Sequence, residues 1–177
     1  MLWQALDNSQ DAGGALFDMK SAFPSVHHDW LFLVLQQWSF PLFFINCIRS
    51  LYKRVWCSIS VRGTAAGGFW ALRGVKQGDP LSGLLFTFAF DPIIRAIALL
   101  KLSYTVYPTA FADDLAIAAA DLVRALPHVV DILMSATPCS GLELNFPKCV
   151  LVIPRHFDPQ FLISQCLNAG LDITGWK

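Results

Sequence analysis

The 177-residue chain is 55% hydrophobic and only 15% charged, and its 13 Lys and Arg residues balance its 13 Asp and Glu residues. The length fits one α+β domain and excludes two large ones, while an apolar content this high indicates surfaces that meet further partners. The cysteines are odd in number and form no Cys-x-x-Cys pair. They support neither a zinc site nor a disulfide framework, so a reducing compartment fits best.

The first predicted element is a short buried strand that ends in an acid. After a lead-in over residues 1–13, an apolar run that opens on two glycines ends at Phe17, and Asp18 follows it. Two buried helices joined near residues 39–41 are then expected to reach Tyr52. A strand pair is expected next.

That strand pair is predicted near residues 55–61 and 68–72. Upstream of it, His27 and His28 stand where a helix begins, and we interpret them as surface residues because no partners lie at ligand spacing.

A glycine-punctuated loop precedes the longest predicted helix. Asp79 is a good N-cap and Pro80 suits the first helical position, so a helix is expected from there to about Leu100. Pro92 inside it is expected to remove one backbone hydrogen bond and to produce a kink near Asp91.

Two adjacent acids, Asp113 and Asp114, then interrupt two apolar runs at residues 104–110 and 115–120. Taken alone, such a pair is more often a turn, because the Asp carboxylate bonds its own backbone. Asp18 at the end of the first strand changes this interpretation, since it could face the hairpin acids. Three carboxylates suit two divalent cations, which stabilise the attacking and leaving oxygens of a phosphoryl displacement.

The C-terminal part is predicted to contain a helix and a strand. The helix is expected over residues 122–136, interrupted by Pro127, and the strand over residues 149–153. Residues 154–177 look like the beginning of an element that is cut short.

An uncharged run at residues 31–48 raises the alternative of a membrane protein. Polar residues and a proline interrupt this run, and a bilayer helix needs about 20 predominantly apolar residues. Asp91 and Arg95 likewise interrupt the apolar segment at residues 84–100. We therefore expect no membrane partner, and no secretion signal is indicated.

In this order and at these intervals, several stretches resemble the palm motifs of reverse transcriptases, especially those of non-LTR (LINE-like) retrotransposons and more distantly those of group II introns. Residues 16–26 (LFDMKSAFPSV) are similar to the first motif, and residues 73–86 (RGVKQGDPLSGLLF) to the second. Residues 111–114 (FADD) resemble the third motif and residues 140–148 (SGLELNFPK) the fourth. Together these matches cover roughly residues 14–150.

The resemblance implies an α+β polymerase palm over residues 14–153. Its antiparallel sheet would carry the acidic hairpin and pack on helices, with truncated fingers, no thumb and a truncated tail at residues 154–177. Pro24 stands where many relatives have an acid and Gly83 where many have proline, but neither departure touches a proposed metal ligand.

The resemblance also implies a metal site. Asp18 and Asp113 would be the metal-bridging catalytic carboxylates, with the Met19 carbonyl as a further ligand and Asp114 as the less essential acid. The expected cofactor is a pair of Mg²⁺ ions, with Mn²⁺ as the substitute.

Four further residues match substrate-binding positions of the family. Phe23 would lie beneath the sugar and exclude a 2′-hydroxyl by clash, although a core phenylalanine is the plainer interpretation. Gln77 and Gly78 would contact the template base and the incoming nucleotide. Lys148 would protonate or neutralise the leaving pyrophosphate, or else serve as a solvated surface charge.

The implied function is RNA-directed DNA polymerisation, with an RNA template, a DNA primer and dNTPs as partners. The chain would work within a longer polyprotein that supplies fingers, a thumb and, as a further candidate, an endonuclease region. An inactive remnant, either a binding module or without function, is the first alternative, because the net charge is zero and 17 residues precede Asp18. An RNA-directed RNA polymerase is the second, and Phe23 speaks against it. The sequence carries no localisation signal, so both nucleus and cytoplasm stay open.

Overall fold

The computed structural model describes residues 12–154 and 157–177. Most of the predicted lead-in at residues 1–13 therefore lies outside the described residues. The strands are β1 Gly13–Phe17, β2 Val55–Val61, β3 Thr64–Ala71, β4 Val106–Phe111, β5 Asp114–Ala119 and β6 Val150–Val152. The helices are α1 Ala22–Ser25, α2 His28–Gln37, α3 Leu42–Tyr52, α4 Pro80–Leu99, α5 Lys101–Tyr104, α6 Leu122–Ser140 and α7 Pro159–Asn168, with a 3₁₀ helix at Phe146–Lys148.

An antiparallel sheet of order β4-β5-β1-β6 forms the centre of the domain. The predicted strand before Asp18 is β1, which pairs with β5 on one side and with β6 on the other. Along β1, Ala15 and Phe17 are buried while Leu16 between them is 46% exposed. This alternation gives the sheet one face that packs on the helices.

Helix α4 is the central helix of the layer that covers the sheet. Its N-cap is the predicted one, because the Asp79 carboxylate accepts a hydrogen bond from the Leu81 N–H at 2.9 Å and Pro80 follows. The helix continues through Pro92 and packs against α2, α6 and β4. By length and composition it could also cross a membrane, yet Leu85, Phe86 and other residues along it belong to the protein core.

The prediction of an interruption at Pro127 is wrong, because α6 is one continuous helix that also includes Pro138. The helix begins at a capped N-terminus, where Asp121 accepts a hydrogen bond from the Arg124 N–H, and it ends at Gly141 with a φ of 79°. A row of buried apolar side chains holds it against the core. This packing outweighs the hydrogen bond that each proline removes.

Residues 157–177 pack on the same core as the palm residues. Leu162 and Cys166 of α7 are fully buried, and the Trp176 and Phe17 rings form a T-shaped pair with 5.6 Å between centroids. The Leu151 N–H donates to the carbonyl of Lys177 at 2.8 Å. The domain boundary after residue 153 stays a prediction, and the segment beyond it contributes to the core.

Hairpin β2–β3 forms a second, two-stranded sheet and confirms the predicted strand pair, with β3 beginning four residues earlier than expected. His27 and His28 stand at the start of α2, as predicted, with His27 at the N-cap position and His28 the first helical residue. They are half-buried and not the surface residues that the sequence predicts. His28 Nε2 lies 2.9 Å from the Gly74 carbonyl oxygen, so this histidine links α2 to the loop before α4.

Candidate active site

The register of the central sheet brings the acids to one end of it. Phe17, the last residue of β1, pairs with Leu115 of β5, and Phe111 pairs with Asp114 across the hairpin turn. Asp18 is the next residue after Phe17, while Asp113 occupies the turn beside Asp114. The carboxylates predicted to act together therefore lie at the same sheet end.

The hairpin turn has two residues, Ala112 and Asp113, because Phe111 and Asp114 form its last pair. Ala112 has a φ of 52°, in the left-handed region that hairpin turns of this length require. Asp114 is exposed and Asp113 is half-buried. The turn thus presents both acids at the protein surface.

Asp18 is held by a neighbouring segment through two hydrogen bonds. The Asn145 side-chain amide donates to Asp18 Oδ2 at 2.8 Å, and the Asn145 backbone N–H donates to the Asp18 carbonyl at 2.8 Å. From the sequence, Asn145 served only to identify a motif, and its contact with Asp18 was not predicted. The sequence signal that could have pointed to this contact is the position of Asn145, three residues before the predicted site residue Lys148.

Lys148 points toward the same acid. The 3₁₀ helix at Phe146–Lys148 places its Nζ 3.9 Å from Asp18 Oδ2, with the lysine side chain 66% exposed. An exposed ion pair at this distance contributes little to stability. The Lys148 amine is therefore held only weakly by this ion pair.

Cys149 is a buried neighbour of Asp18 that sequence reasoning also missed. Burial raises the pKa of its thiol, the Asp18 carboxylate raises that pKa further, and a hydrogen bond with the Asp18 backbone opposes the shift. The thiol donates to the Asn145 carbonyl at 3.5 Å. A neutral, buried thiol here packs the base of the site.

Met19 pairs with Leu144 in an isolated antiparallel bridge. The flanking hydrogen bonds join the Asp18 carbonyl to Asn145 and the Lys20 N–H to the Glu143 carbonyl. These bonds do not use the Met19 carbonyl, which is the group that the prediction assigns to a metal.

Phe23 has a structural partner. Its half-buried ring stacks on Phe86 of α4, with 4.5 Å between centroids and 14° between planes. The Phe23 carbonyl also accepts a hydrogen bond from the Val75 N–H at 2.8 Å. The first and second predicted motifs are thus adjacent in space, and the Phe23 ring packs on the core.

Gln77 and Gly78 lie on the exposed loop that leads into α4. Gly78 has a φ of 86° and no atom within 4 Å of where a Cβ would stand, so its backbone is open to an approaching molecule. The loop is anchored beside them, because the Ser82 hydroxyl donates to the Lys76 carbonyl.

The donor types at the sheet end fit a hard divalent cation, since Asp18, Asp113 and Asp114 offer carboxylate oxygens. Within residues 12–154 and 157–177, no group of three or more His, Cys, Asp or Glu side chains is gathered closely enough to hold an ion. A Mg²⁺ ion usually binds one or two carboxylates and completes its shell with water and substrate phosphates. The open arrangement suits a site that substrate completes.

Comparison with known proteins gives the family. The profile of the reverse transcriptase (RNA-dependent DNA polymerase) family matches residues 3–166. A retrovirus-related Pol polyprotein from a type-2 retrotransposable element of Drosophila melanogaster is 31% identical over 142 residues, which are 78% of this chain and 13% of that protein. A Pol polyprotein from a type-1 retrotransposable element of Nasonia vitripennis is 31% identical over 139 residues, 76% of this chain and 14% of that protein. The chain thus spans a small part of these relatives.

Solved structures share the fold. The apo telomerase of Candida tropicalis superposes with a TM-score of 0.68 at 15% identity, covering 88% of this chain and 30% of that one. A truncated form of that telomerase gives a TM-score of 0.67 at 16% identity and covers 87% of this chain and 34% of that one. The predicted polymerase palm fold is therefore confirmed. With its family profile, its retrotransposon relatives and its palm fold, the chain belongs to the reverse transcriptase family, of the non-LTR retrotransposon type.

Proposed function

We propose that this chain is the catalytic palm of an RNA-directed DNA polymerase. It would add dNTPs to the 3′-hydroxyl of a DNA primer along an RNA template and release pyrophosphate. The pairing of β1 with the β4–β5 hairpin carries the proposal, since it brings Asp18 to the end of the sheet where Asp113 and Asp114 lie. Fingers, thumb and endonuclease regions of a longer polyprotein would be its partners.

Asp18, Asp113, Asp114 and the Met19 carbonyl would hold two Mg²⁺ ions, with Mn²⁺ as a substitute. When bound, such ions stabilise the attacking and leaving oxygens of an in-line displacement. Asn145 would keep the Asp18 carboxylate in one orientation through its 2.8 Å hydrogen bond. Lys148, whose ammonium lies on the same side as Asp18, would neutralise or protonate the leaving pyrophosphate.

Substrate selection would fall to Phe23, Gln77 and Gly78. The stacking of Phe23 on Phe86 fixes the ring, and a fixed ring can exclude a 2′-hydroxyl by clash. The open backbone at Gly78 would admit the incoming nucleotide, and Gln77 beside it would contact the template base.

A non-catalytic remnant is the competing function. The observation in its favour is that the acids of the described residues are not gathered into a closed metal site. Intact Asp18 and Asp113 weigh against it, because a site released from selection has no reason to keep both carboxylates at one sheet end.

Primer extension tests the proposal. The full chain is incubated with a poly(A) template, an oligo(dT) primer, dTTP and Mg²⁺, beside Asp18→Asn and Asp113→Asn. The extension rate of each variant should fall about 100-fold or more, because several kcal/mol of transition-state stabilisation depend on the metal ligands. Asp121→Asn is the matched control, since Asn is an equally good N-cap for α6 and Asp121 follows β5 at its other end.

The outcomes separate the alternatives. Extension that persists in Asp113→Asn would contradict the metal mechanism, and no extension by the wild-type chain would favour the remnant. Extension with UTP in preference to dTTP would indicate the RNA polymerase.

A further inference from the structure

The balanced net charge conceals a strong separation of charge along the chain. Residues 30–78 contain six basic residues and no acidic one, while the rest of the chain carries all 13 acidic residues. The basic residues of this segment are Arg49, Lys53, Arg54, Arg62, Arg73 and Lys76. None of them forms an ion pair within the part of the chain that the structure describes.

Four of these cations line one continuous depression, which we call the basic cleft. It consists of two adjoining cavities of about 790 and 840 Å³ that share five lining residues, including Arg73 and Tyr52. Arg49 and Lys53 line the first cavity, and Lys76 and Gln77 line the second. The cleft therefore runs from the end of α3 to the predicted substrate loop before α4.

The charges within the cleft are nearly all of one sign. The half-buried imidazoles of His27 and His28 also line both cavities, and Asp29 is the acidic residue among the lining side chains. Unpaired cations that converge on a concave surface raise the local concentration of anions. The expected ligand is therefore negatively charged.

Aromatic rings lie among the cations in the same cleft. Phe69 and Trp70 of β3 line the second cavity and are 57% and 52% exposed. Closer to the helices, the Arg49 guanidinium lies 4.9 Å from the centre of the Phe32 ring, and Lys76 Nζ lies 5.4 Å from that of Tyr52. Proteins that bind single-stranded nucleic acid combine a positively charged groove, which neutralises phosphates, with exposed aromatic rings on which bases stack.

We propose that the basic cleft binds a single-stranded nucleic acid, independently of the acidic sheet end. Charge complementarity selects a polyanion, and the exposed aromatic rings select one whose bases are unpaired. The contiguity of the cleft with Gln77 would let a strand held there continue toward the site of the proposed function. The binding itself requires neither metal nor nucleotide.

Binding is measured by fluorescence anisotropy with a fluorescein-labelled oligo(U) of 20 nucleotides, without Mg²⁺ or dNTP, over a range of NaCl concentrations. Arg49→Gln/Lys53→Gln should bind about tenfold more weakly than wild type. Its plot of log affinity against log salt should be shallower by about 1.4, because two phosphate contacts to a single strand are lost. Phe69→Leu should weaken binding about fivefold through lost stacking.

Arg95→Gln/Lys101→Gln is the matched control, since it removes two cations outside the cleft, one of which pairs with Asp91. Unfolding curves check that each variant is folded. Equal affinity and salt slope in the cleft variant and the control would overturn the proposal. So would an absence of binding by wild type, which would leave the cleft as a surface for another protein.

The proposed polymerase function and the proposed binding in the cleft can be contradicted independently of each other. Asp113→Asn should bind the oligonucleotide as wild type does, while it loses extension. Extension absent from a wild-type chain that binds RNA would contradict only the polymerase proposal. If wild type extends the primer and the cleft variant binds the oligonucleotide as tightly as wild type does, only the role of the cleft is contradicted.

Discussion

Asn145 holds Asp18 at two points, one on the side chain and one on the backbone, although 127 positions separate the two residues. The amide of Asn145 reaches the carboxylate oxygen Oδ2, the same atom that Lys148 approaches at 3.9 Å. A hydrogen bond to a carboxylate both orients the acid and leaves its other oxygen free. The fourth motif therefore acts on the first one directly.

Asn145→Ala tests this positioning role. The substitution keeps the backbone hydrogen bond and removes the amide donor, so Asp18 gains rotational freedom. We expect primer extension to fall about tenfold, with a higher Mg²⁺ concentration at half-maximal rate, and the free energy of unfolding to fall by about 1 kcal/mol. Asn168→Ala at the exposed end of α7 is the control for loss of an amide. An unchanged Mg²⁺ requirement would restrict Asn145 to a structural role.

Gly74 of the second motif closely approaches the backbone of the first motif. It has a φ of 87°, its N–H donates to the Val26 carbonyl at 2.7 Å, and a Cβ there would lie 2.5 Å from the Pro24 carbonyl oxygen. Gly74→Ala should therefore lower the free energy of unfolding by about 3 kcal/mol, measured by urea unfolding. Gly63 has a similar φ of 81° and open space around it. Gly63→Ala should therefore lower the free energy of unfolding by only about 1 kcal/mol. Equal losses would show that the close approach to Pro24 is unimportant.

The parts that the sequence predicts well are those with a local physical cause. Asp79 and Pro80 are a strong helix start by their own chemistry, and the structure has that cap. The apolar run before Asp18 becomes a strand, and the segment with the two acids becomes a hairpin whose turn contains Asp113. Each of these depends on residues within a few positions.

The parts that sequence reasoning missed depend on tertiary contacts. Pro127 does not break α6, because the buried face of that helix is stabilised by residues far along the chain. Asn145 and Cys149 reach Asp18 only once β6 has paired with β1. The basic cleft was hidden by the balance of total charge, which says nothing of how Arg49 and Arg73 are placed in space.

Phe23 has a core role that can be separated from its proposed role in sugar selection. Phe23→Ala removes a half-buried ring from Phe86, so the free energy of unfolding should fall by about 2 kcal/mol. If the ring also excludes a 2′-hydroxyl, the ratio of UTP to dTTP incorporation should rise about tenfold. Phe40→Ala removes a half-buried ring stacked on Phe44 and should destabilise the fold without changing that ratio. A ratio that rises in both variants would point to general loosening.

Cys166 gives the fold a predictable sensitivity to alkali. Burial raises the pKa of its thiol from 9.0 to about 11. Below pH 9 both folded and unfolded chains hold this proton, so it adds no pH dependence. Between pH 9 and 11 only the unfolded chain releases it, and rising pH therefore favours unfolding.

Urea unfolding across this pH range checks the effect. Wild type should lose about 2 kcal/mol more of its unfolding free energy between pH 9 and 11 than Cys166→Ala does. At pH 7 the variant should be less stable than wild type by about 1 kcal/mol, since it removes a buried sulfur atom. Cys47→Ala, at an exposed cysteine, is the control for removal of a thiol. If wild type and Cys166→Ala lose the same unfolding free energy between pH 9 and 11, the thiol ionises as readily in the folded protein as in the unfolded chain.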